Sequence, residues 1–369
     1  MERPKPLGAV ALGSREDTMK YRKSFFVATV AALLIGSHAG GALANDFYAG
    51  KTIRVSVGNA AGGGYDTYTR AVARHMGKHI PGNPEFVVDN MTGAGGLIAA
   101  NYTYNKADRD GTFIGVWNSA YVLYKALGDR AVRLDPKKLG WIGAPVKGSP
   151  HCSIMAFTGL DSFADILKSG RSLKMGATRA GSTYHDVPKI LNQTIGTKFE
   201  VITGYTGTSK ILLSMRSKEL EGGCWGWESA RITARQMFEA KGDERLIPVL
   251  IHRKWKDPLV KDLPLISEVI KAKADKDGLA IYKAWGGQYE FQRPWVAPPG
   301  VPKDRLEILR KAFAATFKDK EFLAEAEKSK LFLDYVSADE IYGHVNDLMD
   351  ITPKAKEDLQ FLVRKQKEN

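Results

Sequence analysis

Two glycine-rich segments near the start of the chain have the composition of backbone anion sites. Residues 58–66 read GNAAGGGYD, and residues 90–97 read NMTGAGGL. Glycine tolerates positive φ and leaves main-chain N–H groups open to a ligand because it has no Cβ. Each segment precedes a predicted helix, whose first N–H groups and dipole attract anions. Together the two segments predict a site that holds one carboxylate from two sides.

Nucleotide-binding loops use similar glycines, and only the spacing separates the two kinds of site. The first segment lacks the Gly-Lys-Ser/Thr ending of a Walker loop. In the second, Ile98 stands where the dinucleotide fingerprint that begins at Gly93 and Gly95 needs glycine or alanine. Nucleotide binding is therefore disfavoured. The alternative that both segments are only tight connections remains open.

Side chains at later strand ends are further candidates for ligand contact. Asn118 and Ser119 follow a buried strand, where α/β folds collect ligand contacts. Trp225 and Trp227 are two residues apart, so on a strand they would face one side and form an apolar wall. Packing in the core is the alternative for both. Glu228 would repel a second ligand carboxylate unless it meets an amine or hydroxyl.

Enzyme signatures are missing from the sequence. It contains no Gly-x-Ser-x-Gly elbow, no His-Glu-x-x-His helix and no Cys-x-x-Cys pair. His185 and Asp186 are neighbours, but adjacency alone does not make a proton relay, and we expect His185 to be buried or capping. We predict no catalysis, no metal and no cofactor.

Strands and helices alternate around these segments. Ile53, Val55 and Val57 alternate along a first strand, and Asp66 is predicted to cap the helix that follows. The alternation predicts an α/β fold with parallel strands. After residue 251 the chain becomes rich in proline and ends in helices. Further strands are predicted at residues 86–88, 113–117, 153–157, 173–176, 199–203 and 246–251.

The N-terminus has the order of an export signal. Basic residues precede an apolar run at 25–35, and Ala42-Leu43-Ala44 follows it as a cleavage site. The run is shorter than the roughly 20 residues that span a bilayer. We expect residues 1–44 to be an N-terminal extension and signal peptide, removed to leave Asn45, with Met19 as an alternative start.

Charge and cysteines limit the remaining classes. The net charge of +13 falls to +10 without residues 1–44, which hold six basic and three acidic side chains. A basic surface favours anions, but no nucleic-acid motif accompanies it, so we predict no nucleic-acid partner. A lipid anchor would need a cysteine directly after the apolar run, and the two cysteines, Cys152 and Cys224, lie far beyond it. The sequence therefore argues against a lipid anchor. Whether the two form a disulfide is left open.

The motifs, taken in order, resemble the Bug family, the solute receptors of tripartite tricarboxylate transporters. The resemblance runs through nearly all of the chain after residue 47. It is carried by residues 48–70 (YAGKTIRVSVGNAAGGGYDTYTR), 88–99 (VDNMTGAGGLIA), 110–112 (DGT), 180–185 (AGSTYH), 204–208 (GYTGT), 262–268 (DLPLISE) and 296–302 (VAPPGVP).

The resemblance implies an α/β, type II periplasmic binding protein: two α/β lobes with crossover strands and a central ligand cleft. Residues 45–147 and 257–369 would form lobe 1, and residues 148–256 lobe 2. Such a receptor captures a small organic carboxylate in the periplasm, as a monomer without a lipid anchor. It delivers the ligand to a large and a small integral membrane subunit. The alternative is a carboxylate-sensing receptor for a signalling system without transport.

The ligand-binding residues are predicted from the resemblance and from the strand ends together. The family's two glycine loops pinch a ligand carboxylate through backbone donors, and residues of the second lobe close over its other end. The predicted set is Gly62, Gly63, Gly64, Asp66, Thr92, Gly93, Ala94, Gly95, Gly96, Asn118, Ser119, Gly181, Ser182, Thr183, Tyr205, Thr208, Trp225 and Trp227.

Overall fold

Two β-sheets form the framework of the part of the chain that the structure describes. The structure, a computed structural model, describes Met1 and residues 47–273 and 276–362. In chain order the strands are β1 (Thr52–Val57), β2 (Glu85–Asn90), β3 (Phe113–Val116), β4 (Gly140–Ala144), β5 (Pro150–Met155), β6 (Ser172–Gly176), β7 (Lys198–Ile202), β8 (Gly222–Gly226), β9 (Leu246–Ile251), β10 (Trp295–Ala297) and β11 (Val336–Ser337).

Helices connect most of these strands and close the chain. Apolar side chains on their inner faces, such as Tyr68, Val72 and Met76 on the first, are buried against the sheets. In chain order the α-helices are α1 (Gly64–Met76), α2 (Leu97–Asn105), α3 (Ala120–Ala126), α4 (Phe163–Ser169), α5 (Thr183–Ile195), α6 (Thr208–Arg216), α7 (Trp227–Thr233), α8 (Arg235–Glu239), α9 (Ile266–Ala272), α10 (Lys276–Gly286), α11 (Lys303–Thr316), α12 (Lys320–Lys328), α13 (Ala338–Met349) and α14 (Pro353–Asp358).

The six-stranded sheet has the order β11-β4-β10-β3-β1-β2. β1 is parallel to both of its neighbours, and Val57 at its end pairs with Asn90 of β2 and Val116 of β3. The loops after these three strands therefore emerge side by side. β10, from late in the chain, inserts antiparallel between β3 and β4.

The five-stranded sheet has the order β7-β6-β8-β5-β9. β6 is parallel to β7 and β8, whereas β5 is antiparallel to β8 and β9. Cys152 on β5 pairs with Cys224 on β8, and the two form a disulfide. The structure thus resolves the alternative that the sequence left open.

The chain leaves the six-stranded sheet after β4 and returns to it at β10. The five-stranded sheet uses residues 150–251, and the six-stranded sheet uses strands on both sides of that range. The predicted lobe boundaries, 45–147 with 257–369 and 148–256, remain a prediction. The export segment with Ala42-Leu43-Ala44 and Met19 lies outside the described residues.

Local signals in the sequence account for most element bounds. Ile53, Val55 and Val57 are buried along β1, and Ser337 with Glu340 forms the capping box that opens α13. Pro302 directly precedes α11, where its fixed φ suits a helix start. Among the described helices, none combines the length and apolarity needed to cross a membrane.

Candidate functional site

A small cavity lies where the loops after β1, β2 and β3 meet the five-stranded sheet. It encloses about 70 Å³. Its described lining comes from those loops and from the segment before β10. The five-stranded sheet contributes the residues that follow β6, the start of α6, and the junction of β8 with α7. The lining residues are Asn59, Ala60, Gly63, Gly64, Tyr65, Gly95, Asn118, Thr178, Ser182, Thr183, Tyr184, Gly207, Thr208, Ser209, Trp225, Gly226, Glu228, Ser229, Gln292 and Arg293.

The first glycine loop, residues 58–63, presents the N-terminus of α1 to this cavity. Gly63, just before the helix, is extended with φ −80° and ψ 168°, and the helix starts at Gly64. The first N–H groups of a helix have no partner within it and carry the positive end of its dipole. Because Gly63 and Gly64 line the cavity, an anion there can accept hydrogen bonds from these groups.

Asp66 braces the first glycine loop and does not cap the helix. The prediction of Asp66 as the N-cap is wrong, because α1 begins two residues earlier. The buried Asp66 carboxylate accepts a hydrogen bond from the Gly62 N–H at 2.9 Å. It also accepts from Asn90 Nδ2 and Arg70 Nε, each at 2.9 Å. These bonds hold the loop from the side away from the cavity lining.

The second glycine loop, residues 93–96, consists of consecutive residues with positive φ. Gly93, Ala94, Gly95 and Gly96 have φ of 122°, 48°, 63° and 93°. A Cβ disfavours this region, so the backbone itself requires glycine at most of these positions. Ala94 adopts it at a cost of about 1 kcal/mol. Of the four, Gly95 lines the cavity.

Tyr121 and Arg179 cover the second glycine loop. The Tyr121 hydroxyl donates to the Gly95 carbonyl, and Arg179 Nη1 donates to the Ala94 carbonyl at 3.2 Å. The Arg179 guanidinium lies 5.3 Å from the Tyr121 ring centroid. Burial raises the pKa of Tyr121 to about 12, so its hydroxyl stays protonated and remains a donor. Arg179 follows β6, so the second sheet holds this loop.

A buried ion pair lies at the cavity between α7 and the segment before β10. Arg293 Nη1 and Nη2 each donate to Glu228 Oε1 at 3.1 Å, and Nη2 also donates to Ser229 Oγ at 2.6 Å. Glu228 Oε2 accepts from the Ser149 N–H at 3.1 Å. Burial lowers the pKa of Arg293, but the Glu228 carboxylate together with Tyr68 and Tyr65 outweighs burial and leaves the pKa raised, so the guanidinium stays charged.

Arg293 is held under backbone strain. Its φ of 59° is left-handed, and the residue directly precedes Pro294. Its guanidinium lies 5.1 Å from the ring centroid of Tyr65 and 4.6 Å from that of Tyr68, within the range of cation–π attraction. A strained non-glycine conformation persists only where the surrounding structure holds it in place, and such residues cluster at functional sites. This placement identifies Arg293 as a functional candidate.

The side of the cavity formed by the five-stranded sheet and its helices carries aromatic rings and threonine hydroxyls. The Tyr184 ring stacks on Trp225 with centroids 5.4 Å apart and planes 13° apart. The Tyr184 hydroxyl donates to Thr208 Oγ1 at 3.1 Å, and the Tyr289 hydroxyl donates to Thr183 Oγ1 at 3.1 Å. These bonds fix the threonine hydroxyls at the cavity and leave each free to donate.

The structure brings part of the predicted ligand-binding set together. Gly63, Gly64, Gly95, Asn118, Ser182, Thr183, Thr208 and Trp225 line the cavity.

The other predicted residues lie outside the lining, several with internal partners. Ser119 is buried and donates to the Gln288 carbonyl, and the Tyr205 hydroxyl donates to Glu219 Oε1. The Gly181 carbonyl accepts from Asn118 Nδ2. The residues outside the lining are Gly62, Asp66, Thr92, Gly93, Ala94, Gly96, Ser119, Gly181, Tyr205 and Trp227.

Trp225 and Trp227 do not line the cavity together, and the alternative of core packing holds for Trp227. β8 ends at Gly226, so Trp225 is on the strand while Trp227 is the first residue of α7. Both rings pack against His151, with centroids 4.5 Å and 4.9 Å from its ring, and of the two Trp225 lines the cavity. Trp227 packs in the core, 4.9 Å from the His151 ring and 5.2 Å from Phe238.

Sequence reasoning missed the residues that precede β10. Arg293 and Gln292 line the cavity, and the Tyr65 hydroxyl donates to Gln292 Oε1 at 3.1 Å. No local pattern marks this segment, which reaches the site only because β10 inserts between β3 and β4. Glu228 was considered from the sequence, but its partner was not.

The lining offers backbone and hydroxyl groups as hydrogen-bond donors. Arg293 and Glu228 are its charged side chains, and they neutralise each other. No histidine or cysteine lies among the described residues that line the cavity. A separate group, His75, Asp319 and Glu321, has metal-ligand geometry, but the Lys78 ammonium already bonds both carboxylates.

Comparisons with known proteins agree with this architecture. No family model matches the chain. It is 26% identical over 285 residues to the UPF0065 protein of the TAR-I ttuE-ttuC' intergenic region in Agrobacterium vitis, and the match covers 75% of each chain.

Solved structures of periplasmic binding proteins superpose on most of the chain. BugD gives a TM-score of 0.65 at 18% identity, covering 85% of this chain and 98% of BugD. Rpa4515 of Rhodopseudomonas palustris, with adipate, gives 0.66 at 19%, covering 84% and 97%. MatC of the same organism, with bound malate, gives 0.64 at 17%, covering 85% and 99%. The resemblance found in the sequence is confirmed: the chain has the two-lobed α/β fold of the Bug-type periplasmic binding proteins.

Proposed function

We propose that this protein is a periplasmic receptor that closes on a small organic carboxylate without transforming it. The observation that carries the proposal is the meeting of two glycine loops at one cavity. The first supplies the N-terminus of α1, and the second exposes backbone at Gly95. Backbone donors at a helix start recognise an anion without a basic side chain.

The charges around the cavity favour one carboxylate group. Arg293 is already bonded to Glu228, so it does not attract a ligand as a free cation would. In turn, Glu228 meets Arg293 and the Ser149 N–H, and its charge is therefore compensated. The ligand carboxylate is left to the backbone donors and to hydroxyls such as Thr208. Charge-assisted hydrogen bonds of this kind contribute about 1.5–3 kcal/mol each.

The enclosed volume favours a short carbon skeleton. The cavity measures about 70 Å³, well below the roughly 300–1,000 Å³ of drug-sized ligand sites. Adipate and malate, seen with Rpa4515 and MatC, are aliphatic carboxylates, which supports the same ligand class here. The stacked rings of Tyr184 and Trp225 would contact the apolar part of the ligand.

Export and delivery complete the proposal. The Cys152–Cys224 disulfide suits an oxidising compartment such as the periplasm. A large and a small integral membrane subunit would receive the ligand from the closed protein, which acts as a monomer. The competing function is sensing, in which the closed form contacts a signalling partner instead.

A thermal-shift series with matched ligands tests the proposal. Propionate, malonate, malate, adipate and benzoate are compared with propionamide, which keeps the shape of propionate without its charge. A ligand at a hundred times its Kd stabilises the native state by about 2.7 kcal/mol, so a short aliphatic carboxylate should raise the Tm by about 5 °C. Propionamide should not. An equal rise with propionamide, or none with any carboxylate, would contradict the proposal.

Closure between the two predicted lobes is a separate expectation. Residues 45–147 with 257–369 would move against residues 148–256 when the ligand leaves. Small-angle scattering with and without the ligand found above should show compaction on binding. An unchanged profile at saturation would mean that the ligand enters without lobe movement.

A further inference from the structure

A second and much larger concavity lies apart from the cavity already described. It encloses about 820 Å³ between helices α7 and α8, the segment after β9 and the segment before β11. We call it the basic groove. The residues on which the argument rests are Arg231, Arg253, Lys254, Trp255, Lys256 and Phe332.

Cations outnumber acids in the basic groove. Its described lining contains seven lysine or arginine residues and three acidic residues. The arginines are held in place by carboxylates: Arg231 Nε lies 2.9 Å from Asp257, and Arg253 Nη2 lies 2.8 Å from Glu290. Lys254 and Lys256 are exposed and make no ion pair within the described part of the chain. Their charge is available to a ligand.

Aromatic side chains form the apolar part of the basic groove. The ring centroids of Trp255 and Phe332 lie 4.3 Å apart, and 36% of the Phe332 surface is exposed. The Arg231 guanidinium lies 5.9 Å from the Trp255 ring centroid. Trp255 Nε1 and Arg253 Nε are buried N–H groups without a hydrogen-bond partner among the described residues.

We propose that the basic groove binds an amphipathic organic anion, with its apolar body against Trp255 and Phe332 and its carboxylate at Lys254 and Lys256. The volume falls within the range of sites for small organic ligands. The basic groove has more than ten times the volume of the small cavity. An aromatic carboxylate and a medium-chain fatty acid share this chemistry. The proposal does not depend on the function proposed above.

Helix α7 forms a wall of both sites. Glu228 and Ser229 on its first turn reach the small cavity, whereas Arg231 lines the basic groove.

Titration with 1-naphthoate and with decanoate, followed by calorimetry and tryptophan fluorescence, tests the proposal. At least one of the two should bind, and the double variant Lys254→Ala/Lys256→Ala should weaken it by about tenfold. The matched control is Lys218→Ala/Lys311→Ala, which removes two exposed lysines elsewhere and should change affinity little. Naphthoate binding alone would identify an aromatic ligand, and decanoate binding alone an aliphatic one; either supports the site.

A variant of the small cavity separates the two sites. Gly95→Val should leave naphthoate or decanoate binding within about twofold of wild type, because Gly95 lies outside the basic groove. If Gly95→Val lost binding while Lys254→Ala/Lys256→Ala bound the anion as wild type does, the anion would lie in the small cavity. That result would overturn the proposal. Equal loss in the control variant, or no binding of either anion, would also overturn it.

Discussion

The two glycine loops look alike in sequence but need glycine for different reasons. In the first loop the reason changes along the segment: Gly62 has φ +74°, Gly63 has an ordinary φ, and a Cβ on the adjoining Gly64 would lie 1.9 Å from Ser229 Oγ. In the second the reason is the backbone itself, because residues 93–96 all have positive φ. Packing across the site thus acts at Gly64, whereas dihedral strain acts at all four positions of the second loop. The sequence pattern does not distinguish them.

The largest expected effect comes from breaking the buried charges that the first glycine loop packs against. Arg293→Met should lower the free energy of unfolding by about 3–5 kcal/mol, because Glu228 is left charged and buried without its partner. Urea denaturation at neutral pH measures the loss. Arg70→Met is the matched control, since its side chain is 40% exposed and Asp66 keeps two other donors. Its loss should be about 1 kcal/mol. Equal losses would show that burial does not distinguish the two pairs.

The next effect tests the second glycine loop. Gly95→Val should reduce carboxylate affinity at least about a hundredfold, because a Cβ there meets Arg179 Cγ at 2.5 Å and the side chain blocks the backbone. Gly128→Val is the control: its φ is +85°, and no atom lies within 4 Å of its Cβ position. Both variants should lose about 1–2 kcal/mol of stability. Calorimetric titration should separate them, and an equal loss of affinity would attribute the effect to destabilisation.

The smallest effect sharpens the comparison within the first loop. Gly63→Ala should change affinity by no more than about threefold, because its φ is −80° and its Cβ approaches only the Ala60 carbonyl, at 3.2 Å. Gly64→Ala should weaken binding about tenfold or more, since Ser229 must move. Gly63→Val should abolish carboxylate binding, because a β-branched side chain there takes the space in which the ligand meets backbone N–H groups. Similar titration curves for both alanine variants would remove the steric argument.

Local patterns were sufficient for the framework and insufficient for the site's interior. The alternation of Ile53, Val55 and Val57 predicts β1, and residues 246–251 are predicted as a strand with the bounds that β9 has. The failures share one cause. Trp227 opens α7 instead of extending β8, and Asp66 bonds a loop that precedes it. Both outcomes depend on where an element ends, which is the least certain feature of a sequence pattern.

Arg293 shows a second limit of sequence reasoning. Its partner Glu228 lies 65 residues away, and the contact exists only because β10 joins a sheet begun much earlier in the chain. No spacing or composition signal connects positions that meet through such a crossover. The glycine loops could be predicted because helix, turn and donor groups all lie within one short segment.

The disulfide has a consequence for how the protein matures. The chain holds two cysteines, so oxidation within one molecule has a single outcome and no mispaired isomer to correct. Cys152 and Cys224 are separated by 72 residues, and β6 and β7 are synthesised between them. The bond can therefore close only after that whole stretch has been synthesised. We expect an oxidant alone, without an isomerase, to be sufficient to form it within one molecule.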